Sequence, residues 1–75
     1  MKRYAISMFW VKTMEIQPGV TKALERISLD IVTGVTVEEA IGKLYLKRAS
    51  ILQDFDLRYV AKMEIPEIGD IDLSI

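Results

Sequence analysis

The side chains of this chain best equipped for chemistry are its carboxylates. Asp54 and Asp56 flank Phe55, and Glu64, Glu67, Asp70 and Asp72 lie in a C-terminal stretch that has no basic residue. Alternate carboxylates on a loop are the kind of oxygen ligands that Ca²⁺ or Mg²⁺ takes. Their spacing does not match a calcium loop, however. Turn and strand-edge roles, in which Asp keeps ends solvated and blocks edge-to-edge pairing, account for the same residues. A metal-dependent carboxylate enzyme is therefore the least favoured reading. Glu38 and Glu39 offer a nominal acid and base, but adjacent helical residues point about 100° apart and do not converge on one substrate. The chain has no cysteine and no histidine. That removes disulfides, thiolate and imidazole metal sites, and any nucleophile paired with a histidine base.

A second constellation is basic. Lys43, Lys47 and Arg48, with Tyr45 between them, and Arg58 further on are candidate contacts for an anionic ligand, for example a nucleotide held in a pocket between subunits. Ten Lys and Arg against eleven Asp and Glu give a net charge of −1. No basic field of the kind that holds bare nucleic acid is present, and nucleic acid is disfavoured as a partner. The glycines at 19, 34, 42 and 69 are isolated, so there is no phosphate-cradling loop. These residue types imply no cofactor and no metal.

The apolar residues are more informative. They make up 51% of 75 residues, with twenty-three Ile, Leu and Val side chains and a mean hydropathy of +0.22. A chain this short forms one domain, 1–75, and buries only about 60% of the surface its unfolded form exposes, so a surplus of apolar groups is left outside. No stretch has the roughly 20 apolar residues of a membrane-spanning helix. The run from Tyr4 to Val11 is strand-sized, Lys12 follows it, and no cleavage signal appears. A cytoplasmic location is expected, in keeping with zero cysteine.

The elements follow from periodicity. From Arg3 to Ile16, Tyr4, Ile6, Met8 and Trp10 alternate with Ala5, Ser7, Phe9 and Val11, which makes a strand apolar on both faces. Such a strand is central with cover on both sides, or gives one face to another subunit. Pro18-Gly19 then supplies a turn. Val20 to Val32 fits two periods: a strand with Ile27, Leu29 and Ile31 on one face, or a helix with a stripe of Val20, Ala23, Leu24, Ile27 and Ile31. Thr36 and Glu39 form a capping box that opens a helix from Val37 to about Ser50, with Val35 and Ala40 as a hydrophobic staple. Its inward face reads Val37, Ala40, Ile41, Leu44, Arg48 and Ile51 or Leu52, broken by Arg48. After Asp54 the period returns to two, with Leu57, Tyr59, Ala61, Met63 and Ile65 opposite Arg58, Val60, Lys62 and Glu64. Pro66 ends that strand. Residues 66–75 read as an extended tail or an edge strand.

The expected fold is α+β, an antiparallel sheet of three or four strands with one helix on one face, in the order ββαβ with a possible final short strand. The runner-up, β-α-α-β, holds if Val20 to Val32 is helical. With the basic residues concentrated at the first strand and the acidic ones in 64–75, the first strand and the tail are expected to lie close.

The stretch Ile27-Ser28-Leu29-Asp30-Ile31-Val32-Thr33-Gly34-Val35-Thr36-Val37-Glu38-Glu39-Ala40-Ile41, leading on to Phe55-Asp56-Leu57-Arg58-Tyr59-Val60, resembles the strand, capped helix, strand layout of very small bacteriophage proteins such as the host RNA polymerase inhibitors of podophages. The resemblance implies a non-enzymatic protein that occludes a site on a larger one, in the host cytoplasm, and carries no functional residue across. The residues themselves lead to the same class. The expectation is a protein-interaction module, self-associating as a homo-oligomer and acting as inhibitor or adaptor of a protein partner. Its candidate interface is drawn from Met8, Phe9, Trp10, Val11, Val60, Ile71, Leu73 and Ile75.

Overall fold

The structure, a computed structural model, describes residues 1–66. Its elements are β1 (Lys2–Gln17), β2 (Val20–Gly34), α1 (Val37–Ile51) and β3 (Asp56–Ile65). They form an α+β fold in the order ββαβ, with one antiparallel sheet ordered β2-β1-β3. The strand apolar on both faces is the central one, and among the described residues the helix covers one of its faces.

Val20–Gly34 is a strand because β1 offers it a partner at nearly every position, from Gln17↔Val20 to Lys2↔Gly34. In that register Leu29, the misfit of a helical stripe, joins Ile27 and Ile31 on one face. The hairpin turns at Pro18-Gly19, where Gly19 takes φ 80°, a left-handed conformation that a side chain resists. A register shift between Glu15 and Gln17 eases the strands into the turn, and the Gly19 amide donates to Glu15 Oε1 at 3.3 Å.

The capping box forms in part. Thr36 Oγ1 accepts from the Glu39 amide at 3.2 Å, but Glu39 Oε2 takes the amide of Val35 at 3.3 Å rather than that of Thr36. The other carboxylate oxygen is engaged by Lys43 at 3.1 Å, one helical turn on. The staple does not form, since Val35 is exposed. Gly34 makes the close approach instead: a Cβ there would lie 3.0 Å from the Thr36 carbonyl oxygen and 3.2 Å from Ala40 Cβ.

The helix lies over β2 and β1. The core is Tyr4, Ile6, Met8 and Trp10 from β1 with Ala40 and Leu44 from α1, flanked by Val32, Val37, Ile41, Leu52, Phe55, Leu57 and Val60. Of the two residues that were alternatives for the end of the inward face, Leu52 packs and Ile51 is exposed. Arg48, the apparent break in that face, turns inward to meet Asp30 of β2. Its Nη2 lies 2.7 Å from Oδ1 and 2.8 Å from Oδ2, and its Nε 3.2 Å from Oδ2.

β3 departs from strict alternation. Phe9 pairs with Tyr59 and Trp10 with Leu57, so Arg58 is an extra residue in the ladder. Such a bulge reverses the facing of everything before it. Leu57 therefore packs under the helix, while Tyr59, two residues later, points to the other side.

Pairing between β1 and β3 stops at Val11↔Asp56, whereas β1 and β2 stay paired to the turn. Beyond Val11 the hairpin projects as a two-stranded arm. The molecule spans 59 × 29 × 16 Å with a radius of gyration of 16.7 Å, against about 11 Å for a compact chain of this length. At the root of the arm Phe55 is flanked by Lys12 and Arg26, each about 6 Å from its ring centre.

Candidate functional site

The even residues of β1 face the helix, so its odd residues and their partners face away from it. Three cross-strand rows result. Ile31, Ala5 and Met63 form one, Leu29, Ser7 and Ala61 the next, and Ile27, Phe9 and Tyr59 the third. None of the nine residues is charged. No other element of residues 1–66 covers them: Ile27 is 73% exposed, Leu29 72%, Ile31 60%, Tyr59 65% and Met63 64%. β-branched and aromatic residues on a pleated surface stabilise a sheet when packed against something, and no element of residues 1–66 packs against this side of the sheet. A contiguous apolar area of this kind on a small chain marks an interaction surface.

Among the described residues paired across all three strands, charge on this face appears at the two ends of the strip. One end carries Arg3, between Thr33 and Ile65; the other carries Glu25 and Asp56, on either side of Val11. All three charged residues are exposed. The face is an uncharged strip with a positive pole and a negative pole.

The expected interface residues divide across the two sides. Phe9 and Val11 lie on the open face. Met8 and Trp10 lie beneath the helix and are buried, with the Trp10 ring stacked on Tyr45 at 5.8 Å, so neither reaches this surface. Val60 is also on the helix side, packed against the core. Ile71, Leu73 and Ile75 lie outside the described residues. The larger part of the face, Ile27, Leu29 and Ile31 with Tyr59 and Met63, was not among the expected contacts. The period-two signal of 27, 29 and 31 was visible, but which side of the sheet it joined depended on the register with β1.

The basic residues do not converge. Arg48 is held by Asp30 and Lys43 by Glu39, while Arg58 sits at the bulge on the opposite edge of the sheet from β2. Lys43 and Lys47 border a shallow cleft of about 270 Å³ that also holds Asp30. A wider, open cleft of about 640 Å³ at the end of the sheet is lined by Lys2, Arg3 and Glu64, and Lys2 is 3.5 Å from Glu64. That contact brings the first strand beside the start of the acidic stretch; the remainder of the tail lies outside the described residues.

The carboxylates are equally dispersed. Asp54 meets Lys12 at 3.5 Å, Asp56 stands on the open face, and among the described residues no three acidic side chains gather as a metal site would need. The Glu39 carboxyl is held below the usual carboxylate value, first by the Lys43 ammonium and then by the Val35 amide. No helix among the described residues is long and apolar enough to cross a membrane.

Comparison with known proteins returns no matching family model, no matching curated protein and no matching solved structure.

Proposed function

We propose that this protein is a non-enzymatic protein-interaction module that associates through the helix-free side of its sheet, and that it acts as an inhibitor or adaptor of a larger protein. The observation that carries the reading is the set of three adjacent cross-strand rows with no charge, whose flanking residues Ile27, Leu29, Ile31, Tyr59 and Met63 are exposed. Leaving that much apolar area in water is unfavourable by about 25 cal/mol per Å², and covering it with another protein recovers the difference. The aromatic and Met side chains present, Phe9, Tyr59 and Met63, are types enriched at interface centres. The resemblance to small phage inhibitors points to the same mode of action.

A Leu29→Lys variant tests it. Leu29 is exposed on the middle row, so the lysine is tolerated by the isolated fold while placing an unpaired ammonium at the centre of the covered surface. In gel filtration with light scattering, the native protein is expected to run above the mass of one chain and the variant at one chain, with unchanged far-UV circular dichroism. A native protein that associates and a variant that associates equally would overturn the assignment of this face.

A further inference from the structure

We infer that the occupant of the open face is a second copy of this chain, packed sheet to sheet about a two-fold axis perpendicular to the strands, with Arg3 of each copy between Glu25 and Asp56 of the other. The inference rests on the reading of that face as a binding surface and adds its partner and geometry.

Two-fold pairing brings one patch against itself, so the patch must be complementary to its own rotated image. The three uncharged rows satisfy this in any orientation; the poles do not. With the axis along the strands, Arg3 meets Arg3, and Glu25 meets Asp56, so like charges face each other at both ends. With the axis across the strands the ends exchange, and the positive pole of each copy meets the negative pole of the other. Like-charge contact at an interface is strongly disfavoured, which selects the second arrangement. The middle row, with Ser7 at its centre, lies midway between the poles, so a two-fold axis through it superposes the two ends.

The area agrees. Five rows at about 6.8 Å spacing across three strands about 4.8 Å apart give roughly 500 Å² per copy, or about 1,000 Å² in all. This is the lower bound for a specific protein interface. The dimer is thus expected to be concentration-dependent, with a dissociation constant on the order of micromolar rather than nanomolar. Sheets packed this way sit about 10 Å apart, and the helices end up on the outer surfaces of a four-layer α-β-β-α assembly.

Charge reversal tests the arrangement. Arg3→Glu and the double variant Glu25→Lys/Asp56→Lys are prepared separately and as a mixture, beside native protein and Leu29→Lys, and studied by sedimentation equilibrium. All altered positions are exposed, and circular dichroism checks the fold. Each reversed variant alone is expected to dimerise about tenfold or more weakly than native protein, and their mixture to form a heterodimer at near-native affinity. Native-like dimerisation of both reversed variants, with Leu29→Lys monomeric, would overturn the two-fold arrangement and leave the face as the binding surface. A native chain that stays single at all concentrations would overturn the second copy as occupant. Dimerisation of Leu29→Lys equal to native would remove the face itself.

Discussion

Removing the guanidinium of Arg48 should loosen the helix from the sheet, and the size of the effect can be worked from the contact. Arg48 meets Asp30 through both carboxylate oxygens at 2.7 and 2.8 Å, with side chains 27% and 19% exposed. A pair this enclosed exceeds the few tenths to 1 kcal/mol of a surface ion pair. An Arg48→Met variant keeps most of the packing of the stem but leaves the Asp30 carboxylate on the helix side of the sheet without a cation. The cost of such an orphaned, partly desolvated charge is about 2 kcal/mol. For a domain of this size that corresponds to a fall in Tm of about 8–16 °C. In the double variant Asp30→Leu/Arg48→Met no charge is stranded, and stability should return to within about 1 kcal/mol of native. Urea unfolding followed by far-UV circular dichroism measures all three proteins, at one protein concentration because association adds to apparent stability. Arg48→Met within about 0.5 kcal/mol of native would refute the reasoning, since the pair would then be behaving as a solvated surface contact.

Two further outcomes follow from the helix start. Gly34→Ala adds a methyl 3.0 Å from the Thr36 carbonyl and 3.1 Å from the Ala40 amide, both backbone groups with little room to move; a loss of about 1–3 kcal/mol is expected in the same urea assay. Glu39 has a lower pKa folded than unfolded, so in acid the unfolded chain binds more protons. Its contribution is therefore complete above the unfolded value and is lost as pH falls through the folded one. Glu39→Gln should flatten the stability profile in that acidic window and leave its slope near neutrality unchanged, as read from melting temperature against pH.

Much of this architecture was legible because its local signals agreed. The alternating apolar pattern of residues 4–11 marked β1 as a strand, Pro18-Gly19 marked the hairpin, and Thr36 with Glu39 marked the helix start. What the sequence concealed was set by pairing between distant residues. Strict alternation put Leu57 and Tyr59 together, and only the ladder with Phe9 and Trp10 reveals the bulge at Arg58 that separates them. Arg48 read as a flaw in the inward face because its partner, Asp30, lies on a different element. Met8, Trp10 and Val60 stood beside Phe9 and Val11 as candidate interface residues, and the fold places the first three on the helix side. Alternation tells which residues share a side; which side the helix takes is decided by the α1 packing of Ala40 and Leu44.

A second chain on the open side shields the residues there from solvent, and methionine oxidation reads that shielding directly. Met63 lies on the open face at 64% exposure, Met14 on the arm at 38%, and Met8 is fully buried. Peroxide treatment with mass-spectrometric readout, repeated from about micromolar to about millimolar protein, compares the three within one molecule. Met63 is expected to oxidise faster than Met14 in dilute solution and more slowly in concentrated solution, with Met8 protected throughout. A ratio of Met63 to Met14 oxidation that stays constant over the whole range would contradict it.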